Sequence, residues 1–180
     1  MENESAVRAV VAFPLLEPDD KQWIESIRAK HDPEAKNIAA HITLVFPAVL
    51  SLRTIEAHLS RVARTTEPIR FVLRRAAVVP DAVGEGGHVF LYADDGRDAL
   101  VGLHERLYEG LAHSPPKWHA SFTPHVTVAA SPSIDPLHTL AGELNAQALT
   151  IRGSISELVV VDVTPAEIRH VANYPLGGSS

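Results

Sequence analysis

The chain has 180 residues, 46% of them hydrophobic and 21% charged, and a formal net charge of −6 with its ten histidines neutral. That length suits one domain able to hide roughly 70% of its unfolded surface, and the lack of cysteine excludes disulfides and thiolate metal sites. The acidic balance argues against broad, salt-driven nucleic-acid binding.

"AVRAVVAF" (6–13) reads as a first strand, stopped by Pro14. The acids ahead of it, in "MENES", stand where a signal peptide needs bases, and no run approaches the roughly 20 apolar residues of a membrane span. A cytoplasmic protein is the expectation. A helix follows over 19–31, with Trp23, Ile24 and Ile27 at helical spacing and acids in its first turn. "HITLVF" (41–46) is the next strand. Ser51 caps a helix striped by Ile55, Leu59 and Val62. A strand over 69–79 and a turn over 81–87 complete the first half.

The second half repeats that order. Strand 88–93 leads to helix 95–113, striped by Leu100, Leu103, Leu107 and Leu111. A loop then enters the strand "HVTVA" (125–129), followed by a helix over 135–149 and a strand over 149–155. A hairpin of 157–163 and 168–176 around "TPAE" closes the chain. Two similar halves without a linker predict one α/β (α+β) domain over 1–176, with pseudo-symmetric halves near 1–80 and 88–176 about a central cleft. Residues 177–180 form a loose tail.

The two strands that start His-x-Thr carry the chemistry. Side chains alternate along a strand, so His41 and Thr43 share one face and Ile42 and Leu44 the other; His125 and Thr127 oppose Val126 and Val128 in the same way. Two such strands place two imidazoles and two hydroxyls in one cleft. One neutral imidazole can take a proton from an attacking water or hydroxyl, and a protonated one can give a proton to the leaving oxygen. The threonines can donate to non-bridging phosphate oxygens as charge builds there.

"HITLVF" and "SFTPHVTV", in a chain of this length, resemble the paired motifs of the two-histidine (2H) phosphoesterase superfamily, in its 2′-5′ RNA ligase-like and cyclic phosphodiesterase branch. The resemblance spans almost the whole chain and implies a duplicated bilobal α/β fold. It implies His41 and His125 as the acid/base pair, Thr43 and Thr127 as phosphate-binding residues, and no metal or other cofactor. The implied substrates are 2′,3′-cyclic or related cyclic phosphates, or 2′-5′ phosphodiesters. Many RNA-acting relatives place a basic residue after the second motif, where this chain reads "AAS" (129–131). A small phosphorylated partner, a nucleotide or short RNA end, is therefore expected, bound by a monomer. The rival readings are a cleft that binds nucleotide phosphate without chemistry, and RNA 2′-5′ end ligation.

Lys117 can meet a phosphate and Trp118 can stack on a base or cover the core rim. Phe46 and Tyr92 are cleft-wall candidates whose ordinary role is packing. His119 and His125 lack a third ligand at zinc spacing. His104 falls on the polar side of its helix and reads as solvated. Arg70, Arg74 and Arg75 form the most basic patch, read as a solvated sheet face.

Overall fold

The computed structural model describes residues 6–111 and 121–177. Its first strand, β1 (Ala6–Ala12), ends in the apolar run Ala9, Val10, Val11 and Ala12, all buried, as expected of a strand segment covered on both faces. A two-residue strand, β2 (Leu15–Leu16), lies beyond the reach of periodicity. Helix α1 (Pro18–His31) buries Ile24 and, unexpectedly, Arg28, and a short 3₁₀ turn (Pro33–Lys36) follows it.

Strand β3 (Ile42–Leu50) outlasts the expected 41–46 by continuing through Pro47. Proline is tolerated because β3 is an edge strand with a register shift opposite Arg8 and Val10. Helix α2 (Leu52–Arg64) buries Ile55, Leu59, Val62 and Ala63 on one side; Ser51 holds the N-cap position, but its hydroxyl makes no cap bond. Strands β4 (Ile69–Pro80) and β5 (Gly87–Ala93) pair next.

Helix α3 (Arg97–Glu109) is shorter than expected. It starts after Gly96, whose φ of 79° and contact with the Arg70 carbonyl leave no room for a Cβ. Strand β6 (His125–Ser131) carries the second motif. Helix α4 (Asp135–Asn145) stops where the Asn145 amide pairs with both backbone groups of Ala76 on β4, at 2.8 and 2.9 Å. Strands β7 (Ile151–Ile155), β8 (Glu157–Val163) and β9 (Ile168–Pro175) complete the α+β fold.

All strand pairs are antiparallel, in sheets ordered β3-β1-β8-β9 and β2-β7-β4-β5-β6. Each sheet draws strands from both halves of the sequence. The motif strands β3 and β6 are edge strands of different sheets and touch each other. Each is backed by a helix of the opposite half, β6 by α1 and β3 by α3. The main core lies beneath, where Ile42, Leu44, Val126 and Val128 meet the leucines of α3, all fully buried or nearly so. Ala9, Val11, Val159 and Val161 form a smaller cluster. Val11 pairs with Thr43, so this cluster lies on the motif face of its sheet.

Candidate active site

The alternation along β3 and β6 divides the motifs as their spacing predicts. Ile42, Leu44, Val126 and Val128 are 0% exposed, whereas His41, Thr43, His125 and Thr127 are half-buried on the other face. Burying the apolar pairs is what turns the polar pairs outward.

Both imidazoles make the same local contact. His41 Nδ1 lies 2.9 Å from the carbonyl oxygen of Ala39, and His125 Nδ1 lies 2.7 Å from that of Thr123, two residues upstream in each case. A carbonyl only accepts, so Nδ1 carries the proton and Nε2 is left with its lone pair. Each ring is thereby set in the tautomer that can take a proton at Nε2 and return it. Burial lowers the pKa of His41 below the usual histidine value; the Ala39 carbonyl opposes this, Arg28 adds to it, and Asp32 and Glu25 oppose it. The neutral form of His41 is thereby favoured.

Thr43, His125 and Thr127 line one cavity of about 640 Å³. His41 is not among the described residues that line it. Phe13 meets the His41 ring edge-on at 6.3 Å, and Phe13, Ala39 and Ala40 line a separate cavity of about 340 Å³. Phe46 and Tyr92, whose ordinary role is packing, both line the larger cavity. Lys117 and Trp118 lie outside the described residues.

Asp81, His88 and Phe90 also line the cavity and belong to no motif. Phe90 stacks on His125 with ring centroids 3.7 Å apart and planes 15° apart, fixing the imidazole plane. Tyr92 approaches the same ring edge-on at 6.1 Å, and Arg75 sits 4.7 Å above the Tyr92 ring. Burial raises the Tyr92 phenol, against the opposing Arg75 charge, so it stays a hydrogen-bond donor. The lining also holds an Asp81–His88 pair at 3.1 Å. Alternation along β5 already puts His88, Phe90 and Tyr92 on one face. Only the register, which pairs Tyr92 with His125 and Phe90 with Thr127, shows that it is the motif face.

His104 corrects the sequence reading outright. It is 3% exposed, its Nδ1 lies 2.7 Å from the Leu44 carbonyl oxygen, and its ring stacks on Phe122 at 3.9 Å. As an edge strand, β3 needs partners for its open side, and α3 supplies His104 for Leu44 and the Tyr108 hydroxyl for the Phe46 N–H, at 3.0 Å. Among the described residues, no group of three or more histidine or acidic side chains is gathered as metal ligands, and no helix is long and apolar enough to cross a membrane.

Residues 16–165 match the family model of the 2′-5′ RNA ligase superfamily. No curated protein matches the sequence. Among solved structures, Escherichia coli LigT in complex with 3′-AMP is similar at a TM-score of 0.64 and 19% identity, covering 97% of this chain and 100% of its own. TT0787 of Thermus thermophilus is similar at 0.64 and 18%, with the same coverage. Usb1 of Kluyveromyces marxianus is similar at 0.59 and 13%, covering 95% and 98%. With its paired His-x-Thr strands on a matching fold, the chain belongs to the 2′-5′ RNA ligase superfamily of two-histidine phosphoesterases.

Proposed function

We propose that this protein is a metal-independent phosphoesterase that opens a 2′,3′-cyclic nucleotide or related cyclic phosphate, or cleaves a 2′-5′ phosphodiester, acting as a cytoplasmic monomer. The observation that carries the reading is the matched Nδ1 contact of His41 and His125 with a backbone carbonyl, which puts the acceptor lone pair of each ring on Nε2. His41, held neutral, is the base: its Nε2 takes a proton from the water that attacks phosphorus. As the new P–O bond forms, the bond to the leaving ribose oxygen breaks, and that oxygen takes a proton from Nε2 of protonated His125. Thr43 and Thr127 donate to the non-bridging oxygens, where charge grows. The imidazolium supplies the positive charge, so the mechanism requires no metal ion. Phe46 and Tyr92 offer aromatic surface to a nucleobase. Escherichia coli LigT, which shares the fold, has been solved with 3′-AMP, with ATP and with NADP+, which favours a small nucleotide as the ligand.

A second reading, a cleft that binds nucleotide phosphate without chemistry, is favoured by the position of His41 outside the cavity lining. One experiment separates the two. The protein is incubated with 2′,3′-cyclic nucleotides and 2′-5′ dinucleotides, with and without EDTA, and products are followed by phosphorus NMR. Turnover that survives EDTA and falls at least about 10²-fold in both His41→Ala and His125→Ala supports the phosphoesterase. Binding without turnover supports the second reading. Near-normal turnover in His41→Ala would sink the paired-histidine mechanism.

A further inference from the structure

We infer that Glu25 of α1 is a positioning residue for His41, acting with Arg28 through the backbone of residues 38–40; the inference rests on the proposed role of His41. The segment ahead of the first motif is tied to α1 at two points. Arg28 Nη2 donates to the Ile38 carbonyl at 2.9 Å, and the Ala40 N–H donates to Glu25 Oε1 at 2.7 Å. Between these anchors lies the Ala39 carbonyl, the acceptor for His41 Nδ1. The Ala40 N–H shares one planar peptide unit with the Ala39 carbonyl and the unit before it is held through the Ile38 carbonyl, so the Ala39 carbonyl has little freedom to rotate, and the ring it orients is held with it.

The clamp is itself braced. Arg28 is 1% exposed and spends its remaining donors on α1 and the turn beyond it: Nη1 reaches Glu25 Oε2 at 3.1 Å and Nε reaches Asp32 Oδ2 at 2.9 Å. Asp32 in turn accepts from the Glu34 N–H at 3.0 Å, capping the 3₁₀ turn that leads into the segment. A buried arginine with every direction of its fork engaged is a rigid element, and a planar guanidinium suits several fixed acceptors at once. Charges around His41 come from the same cluster, Arg28 against Asp32 and Glu25, so the guanidinium is largely compensated where it meets the imidazole.

The second motif is held by other means. The Pro124 carbonyl accepts from Ala93 N–H on β5 at 3.0 Å, and Phe90 stacks on His125. His125 is thus set by its sheet, and His41 by a helix side chain. A change at Glu25 should reach one imidazole and spare the other.

The test compares Glu25→Ala, which removes the acceptor for Ala40, with Glu25→Gln, whose amide oxygen still accepts from it. Glu25 is about one-third exposed, so neither substitution empties a core site. The first readout is heteronuclear NMR of isotopically labelled histidine, which reports the ring tautomer without any turnover. In the unaltered protein and in Glu25→Gln, His41 is the Nδ1–H tautomer; in Glu25→Ala it becomes a mixture while His125 is unchanged. The second readout is kinetic: kcat falls about tenfold or more in Glu25→Ala with KM within twofold, and Glu25→Gln restores it, as expected when a reacting group is misaligned and substrate binding is untouched. If no substrate is turned over, the function fails and the tautomer comparison still decides the positioning role. An unchanged His41 tautomer in Glu25→Ala, or a loss of stability with kcat per folded molecule intact, overturns the inference.

Discussion

Replacing His104 with leucine tests whether α3 holds the open edge of β3 in place. The substitution keeps an apolar side chain of similar bulk but leaves the Leu44 carbonyl without its donor, at a cost of about 1–3 kcal/mol for a buried group. It also removes the ring pair with Phe122, whose planes lie 7° apart, worth about 0.5–1.5 kcal/mol. Together these predict about 1.5–4.5 kcal/mol of destabilisation at pH 8, with Tyr108→Phe costing about 1–3 kcal/mol by removing the hydroxyl that accepts from the Phe46 N–H. The cost depends on pH. Burial lowers the His104 pKa, so the unfolded chain binds protons more readily below about pH 6.5, and stability falls as pH drops through that point toward the folded value. His104→Leu removes this penalty, so its destabilisation is smaller at pH 5 than at pH 8. Urea unfolding at the two pH values, analysed for midpoint and slope, measures both effects. Destabilisation below about 0.5 kcal/mol at pH 8, within the range of an ordinary surface substitution, would refute the reasoning.

Thr127→Val and Thr43→Val keep strand packing but remove a hydroxyl from the cavity; each should lower kcat about tenfold to a thousandfold with little change in melting temperature, read by steady-state kinetics and thermal unfolding. With His41 as base, activity rises with pH through a limb below the ordinary histidine value of about 6.5, and a pH–rate profile with its acid limb above that value would contradict the assignment. Asp162→Asn should destabilise by about 3–5 kcal/mol in chemical unfolding, because it removes the carboxylate charge that the buried Arg8 guanidinium, 4% exposed, meets at 2.8 Å. Burial raises the Asp162 pKa, but Arg169 and Arg8 outweigh it and the net shift is downward; the stability this pair contributes is present above about pH 4 and lost as pH falls through the folded value, so the variant's deficit shrinks in acid.

The motif residues were legible because strand alternation is a local rule. His41 and Thr43 opposite Ile42 and Leu44 needs only a period of two, and the structure buries those positions accordingly. Helix periodicity placed the leucines of α3 inward, yet it misread His104, because the width of a buried face depends on what crosses it. Here β3 crosses it and brings a carbonyl that needs a donor. The extension of β3 through Pro47 is hidden for a similar reason: proline forbids a central strand, and nothing in the sequence says that β3 is an edge.

Side-chain chemistry and short-range periodicity are enough to say which residues could do acid/base chemistry, which side of each strand they occupy and the kind of fold that carries them. Long-range packing alone sets Phe90 and Tyr92 around His125, has Arg28 and Glu25 grip the backbone behind His41, and gives the cavity a lining that includes Thr43, His125 and Thr127 but not His41. Those facts depend on strand register and on which helix backs which sheet edge. Both are settled by contacts between residues far apart in the chain, and a local pattern carries no information about them.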